Sequence, residues 1–148
     1  MDIKTQLNES VKDAMKSGDE VRKRTLRMVL AAVKQAEVDK QIQLDDLAVV
    51  ALIQKEIKNR REAIEEAKKA SRPDLVGENE VEITVLEVFL PKAMPAEELR
   101  ALVQAAIAET GASAPSDMGK VMKIVMPKVA GRAPNDMISG TVKELLAK

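Results

Sequence analysis

The chain has 148 residues, 45% hydrophobic and 32% charged, which suits one soluble helical domain or two small ones. It has no Cys and no His, which excludes thiolate nucleophiles, disulfides, the usual zinc sites and imidazole acid/base chemistry. Phe89 is the one aromatic residue, so the platforms on which unpaired bases stack are missing, and a formal net charge of zero is unlike a dedicated nucleic-acid binder.

The charge is unevenly spread. Residues 1–72 hold 16 Lys/Arg and 13 Asp/Glu, residues 73–148 hold 8 and 11, so an anionic partner has to be met by a local patch. No apolar run reaches the ~18 residues of a membrane span, and Asp2 and Lys4 interrupt any signal-peptide core at the start. The expected location is cytoplasmic. Ala, Leu, Met, Lys and Glu dominate, so helix is the default and almost no sheet is expected.

Asp2 predicts the N-cap of a first helix to about Lys16, with Ile3, Leu7, Val11, Ala14 and Met15 on one face and Gly18 as its stop. Asp19 caps a second helix to about Val38 that buries Leu26, Val29, Leu30, Val33 and Ala36. Lys23, Arg27 and Lys34 fall within ~40° of one another beside that face, a basic stripe that reads either as an ordinary solvated face or as an anion-binding one. Glu37 projects from the apolar arc and needs a cation, Arg60 or Arg27 being the best candidates in the sequence.

The longest uninterrupted helical stretch runs from Asp45 to Ala70, with acids at its start, Lys68 and Lys69 at its end, and neither Gly nor Pro inside. Leu47 to Ile53 is apolar on nearly every side and is expected to be deeply buried. Val50, Ile53, Ile57 and Ile64 share an arc of roughly 60°, with Arg60 just beside it and Lys58 and Arg61 on a solvated side. Arg60 is therefore expected in a structural ion pair, with a rigidly held anion-binding cation as the alternative.

Pro73 opens or kinks a new helix. Val81 to Leu90 is rich in β-branched residues, yet no other segment offers a strand to pair with it, so a buried helix from Pro73 or Asn79 to Leu90 is expected. Pro91 and Pro95 forbid a continuous helix and divide the chain into residues 1–92 and 93–148. Three short helices follow. One opens at Glu97 and Glu98 and ends at Gly111. The next starts after Ser113–Asp117, carries Met118, Val121, Met122, Val125 and Val129, and ends at Gly131. The last begins near Asn135 with Ile138, Val142, Leu145 and Leu146.

Gly119-Lys120 lacks the spacing and the Ser or Thr of a phosphate loop. Gly119 inside a helix costs about 1 kcal/mol against Ala and points first to close packing, second to backbone approach by a ligand. Met118, Met122 and Met126 read as adaptable core rather than as a groove. Gly131-Arg132-Ala133 leads onto a helix N-terminus, where an anion and an ordinary turn are equally good readings.

The ordered set Lys12-Asp13-Ala14-Met15-Lys16, Leu26-Arg27, Gln54 to Glu62, Arg72-Pro73-Asp74-Leu75, Phe89-Leu90-Pro91, Asp117 to Met122 and Gly131-Arg132-Ala133 resembles the GatB/YqeY family over essentially the whole chain. Phe89 stands where Tyr is frequent in that family, and Pro134-Asn135 where free-standing members often have Asp-Gly. The resemblance implies an all-α fold of two helical bundles, a larger N-terminal four-helix one and a smaller C-terminal three-helix one. In the B subunit of the tRNA-dependent amidotransferase, a carbon–nitrogen ligase, the related module is a tail that helps grip tRNA while other domains perform chemistry.

The expectation is a non-catalytic accessory module that binds tRNA or structured RNA through Lys23, Arg27, Lys34, Lys58 and Arg61 of the first bundle and Lys120, Lys123 and Arg132 of the second. Glu37 and Arg60 are expected in structural ion pairing, and no catalytic residue, metal or cofactor is expected. A protein adaptor for a synthetase or amidotransferase, using the last three helices, and a subunit of an amidotransferase enzyme are the alternatives.

Overall fold

The computed structural model describes residues 2–147. Those residues form seven α-helices and a single 3₁₀ turn, with no strand among them. The chain divides into two compact units, Met1–Leu90 and Pro91–Lys148.

The first unit contains α1 (Ile3–Ser17), α2 (Glu20–Lys40), α3 (Asp46–Lys69) and α4 (Pro73–Glu87). Three aspartates start three of these helices. Asp2, Asp19 and Asp45 accept hydrogen bonds from the backbone N–H groups of Thr5, Arg22 and Ala48 at 2.7, 3.0 and 2.9 Å, which satisfies donors a helix start leaves open. α1 ends on Gly18 at φ 74°, where a residue without Cβ adopts the left-handed turn at no steric cost. Pro73 opens α4 at the first turn, where its missing N–H is no loss.

Leu7, Leu26, Val29, Val49, Ile53 and Leu86 are fully buried together, with Phe89 closing the same core. Each such side chain contributes about 1.5–3 kcal/mol by leaving water. α3 packs most extensively on α4, and α2 meets α1, α3 and α4. The β-branched segment after Val81 is helical through Glu87, because α3 supplies an apolar face for Ile83 and Leu86 and no strand is there to receive it.

The start of α3 is less buried than its composition suggests. Val49, Val50 and Ile53 are buried, but Leu47 is 49% exposed, Ala51 is exposed and Leu52 is only partly covered. The neighbouring helices cover one side of α3, and an apolar residue on the other side stays in solvent whatever its type.

The second unit contains α5 (Ala96–Thr110), a 3₁₀ turn (Pro115–Asp117), α6 (Met118–Val129) and α7 (Asn135–Leu146). Leu99, Val103, Ala106, Val121, Val125, Val129, Ile138, Val142 and Leu146 form its core. Met94 is buried in that core too, although it lies in the proline-rich segment, so this segment belongs to the second unit. Met118 and Met122 pack against the core, whereas Met126 is 36% exposed, so the methionine stripe serves as core along only part of its length. α6 ends on Ala130 at φ 50°, one residue before the expected stop, and Gly131 continues the left-handed turn at φ 78°.

Candidate nucleic-acid interface

α2 places Lys23, Arg27 and Lys34 along one stripe, because steps of four and seven residues return close to the same side of a helix. They differ in what they touch. The Lys23 ammonium lies 2.9 Å from Glu20, three residues earlier on the same helix. Arg27 is exposed, and its Nη2 contacts the Sδ of Met15 on α1 at 3.6 Å. Lys34 is exposed at the rim of a shallow groove of about 350 Å³ that also includes Glu37, Val38 and Ile42.

A second shallow groove, of about 480 Å³, runs along α2 between Glu20 and Ala31 and includes Lys23, Arg24, Arg27 and Met28. Arg24 was not singled out from the sequence. It stands 3.9 Å from Glu82 of α4, a loose ion pair that leaves its side chain 56% exposed.

On α3, Lys58 and Arg61 are exposed, and Arg61 lies 3.5 Å from Glu87. Exposed pairs of this kind contribute at most about 1 kcal/mol and can exchange partners. In the second unit Lys120 lies 3.7 Å from Asp117, and Lys123 is exposed. Asp117 also accepts from the backbone N–H groups of Ser113 and Ala114, and these two bonds hold its carboxyl below the usual carboxylate range.

Arg132 is a fastener of its own unit. Its two terminal nitrogens donate to both carboxylate oxygens of Glu98 at 3.0 and 3.3 Å, and its Nε donates to the carbonyl of Lys92 at 3.1 Å. The Arg132 carbonyl accepts from the N–H of Met94 at 2.8 Å. The guanidinium thus straps the segment before α5 onto the turn between α6 and α7.

The expected pairing of Glu37 with Arg60 or Arg27 is not made. Glu37 accepts from the Lys4 ammonium at 2.9 Å and from the backbone N–H of Leu44 at 2.7 Å. The Lys4 ammonium, then the Leu44 N–H, hold its carboxyl below the ordinary value. Helical spacing identifies the side on which Glu37 projects, but the arrival of Lys4 depends on how α1 crosses α2.

Arg60 is 6% exposed and does sit in an ion-paired cluster, with Glu56 at 2.9 Å and Glu82 at 3.5 Å. Its Nε makes no hydrogen bond, so the attraction to Glu82 is ionic only. Glu82 was missed in the sequence because nothing local distinguishes it from the exposed acids around it.

Gly119 is exposed, and a Cβ there would meet nothing within 4 Å, so close packing is not the reason for this glycine. Among the described residues no helix is long and apolar enough to cross a membrane, and no three of His, Cys, Asp and Glu group to hold a metal ion.

Together these features define an all-helical protein of two compact units, with clustered surface cations on the first. A family model described as Yqey-like protein matches residues 4–146, and the chain belongs to that family. Among curated proteins it is similar to "Altered inheritance of mitochondria protein 41, mitochondrial" of Lachancea thermotolerans, 37% identical over 61% of this chain and 49% of that protein. The namesake of Eremothecium gossypii is 33% identical over 73% of this chain and 61% of that protein. That of Pyrenophora tritici-repentis is 29% identical over 95% of this chain and 78% of its own length. The chain spans about half the length of the first two relatives it matches.

Proposed function

We propose that this protein is a non-catalytic accessory module that holds tRNA or a similarly structured RNA by its phosphates, as a two-bundle helical body related to the tail of the tRNA-dependent amidotransferase B subunit. The observation that supports this reading is the α2 stripe of Lys23, Arg27 and Lys34, in which Arg27 and Lys34 have no acid within ion-pair distance among the described residues. Contacts of this kind fix position without reading bases, which suits a chain with no exposed aromatic platform. In this reading the protein works in the cytoplasm, beside a synthetase or an amidotransferase that performs the chemistry.

The test is a titration of unfractionated tRNA with the purified protein between about 50 mM and about 200 mM salt. Binding that weakens steeply with salt supports the reading. Absence of binding at micromolar protein in the lower salt removes it.

A protein adaptor is the second reading. It is favoured by exposed apolar side chains beside the same stripe, with Met28 50%, Val38 63% and Ile42 54% exposed. A stoichiometric protein partner that survives nuclease treatment would favour it over RNA.

A further inference from the structure

Resting on the RNA reading, we infer that the phosphate-binding surface spans both α1 and α2, with Lys12 and Lys16 of α1 joining Arg27 beside Met15, and that Arg100 and Arg132 of the second unit do not form it. The contact of Arg27 Nη2 with Met15 Sδ, 3.6 Å, brings the last turns of α1 alongside the exposed side of α2. Lys12 and Lys16, four residues apart, share one exposed stripe of α1, and Lys12, three residues before Met15, is the member of that stripe next to it.

The availability of these groups separates them from the other cations. A guanidinium has five N–H donors, and Arg27 spends at most one of them on a thioether, a weak acceptor. Among the described residues no carboxylate stands within 4.0 Å of Lys12, Lys16 or Arg27. Arg72 and Arg132, by contrast, each hold both oxygens of one carboxylate. Loosely held Arg24 adds a further cation to the lining of the α2 groove.

Both arginines of the second unit are occupied in holding their own fold. Arg132 straps the segment around Lys92 to Glu98, Arg100 meets Glu144 at 2.9 Å, and Lys120 meets Asp117. Releasing Arg132 to a phosphate would break three hydrogen bonds. The ligand class that suits the α1/α2 face is the phosphodiester backbone of folded RNA. Flexible lysines and an arginine match spaced phosphates, and the one aromatic ring, Phe89, is buried and cannot stack a flipped base.

The experiment compares tRNA binding by the full chain, by Lys12→Gln/Lys16→Gln/Arg27→Gln, and by Arg100→Gln, with circular dichroism to verify each fold. The triple variant should lose at least about tenfold in affinity in low salt, and its log–log salt slope should fall by about two to three, near 0.9 per lost phosphate contact. Arg100→Gln should bind within about threefold of the parent. A triple variant that binds as the parent does, while the parent binds tRNA in a salt-dependent way, overturns the inference and leaves the function standing. A parent that does not bind removes both. Displacement of bound tRNA by polyglutamate at equal charge overturns the assignment to a nucleic-acid backbone.

Discussion

Glu82 of α4 lies between two arginines, 3.5 Å from the buried Arg60 of α3 and 3.9 Å from the exposed Arg24 of α2. One carboxylate therefore links three helices of the first unit and connects its interior to the α2 groove. Arg60 is held from the other side by Glu56, which receives its Nη1 through both the side chain and the backbone carbonyl.

Removing one member of this cluster should cost more than an exposed ion pair. Glu82→Ala leaves Arg60 with Glu56 alone in a mostly buried place, and the expected loss is about 2–3 kcal/mol, below the 3–5 kcal/mol of a fully buried pair because Glu82 is partly solvated. Urea denaturation measures it. The double variant Arg60→Met/Glu82→Leu should recover most of the loss, since apolar replacements need no partner. A Glu82→Ala protein as stable as the parent would refute this account.

Acid should loosen the junction of α1 with the α2–α3 loop. Lys4 and the Leu44 N–H lower the Glu37 pKa, so the unfolded chain binds the extra proton first as pH falls. This contribution is present above the ordinary carboxylate value of about 4.5 and is lost as pH drops through the lower folded value. Asp2 and Asp117, lowered by hydrogen bonds from Thr5 and from Ser113 and Ala114, act in the same direction. Glu37→Gln should flatten the acid limb of a stability–pH curve. An unchanged limb in that variant would exclude Glu37 as a contributor.

Glycines inside and at the ends of helices should respond oppositely to alanine. A Cβ at Gly140 or Gly77 meets nothing within 4 Å, so Gly140→Ala and Gly77→Ala should each stabilise by about 0.5–1 kcal/mol through helix propensity. Gly18→Ala, at φ 74°, should destabilise by about 1 kcal/mol because an L side chain is strained there. Thermal melts that move both groups of variants in one direction would contradict this.

Arg132→Ala should free the segment before α5 from its strap. Arg132 and Glu98 are 32% and 45% exposed, so the stability cost should be modest, about 1 kcal/mol. The clearer readout is faster tryptic cleavage at Lys92, measured by mass spectrometry. Cleavage at the parent's rate would mean that Met94 alone secures the segment.

The sequence alone determined the helices and their apolar faces, because caps, glycine stops and apolar spacing act within a few residues. Asp2, Asp19 and Asp45 begin helices as their positions suggest, Gly18 and Gly111 end them, and Leu26, Val29 and Val33 enter the core. The α2 stripe of Lys23, Arg27 and Lys34 was legible for the same reason, since one helix carries it. Only the tertiary structure decided partners. Lys4 reaches Glu37 from 33 residues away, Glu82 reaches Arg60 across two helices, and Arg132 is committed to Glu98. Which charges meet depends on how helices cross, and crossing is set by core packing rather than by the spacing of the charges themselves. Leu47 and Gly119 follow the same logic, for exposure on a helix is decided by what packs beside it and not by the residue's own type.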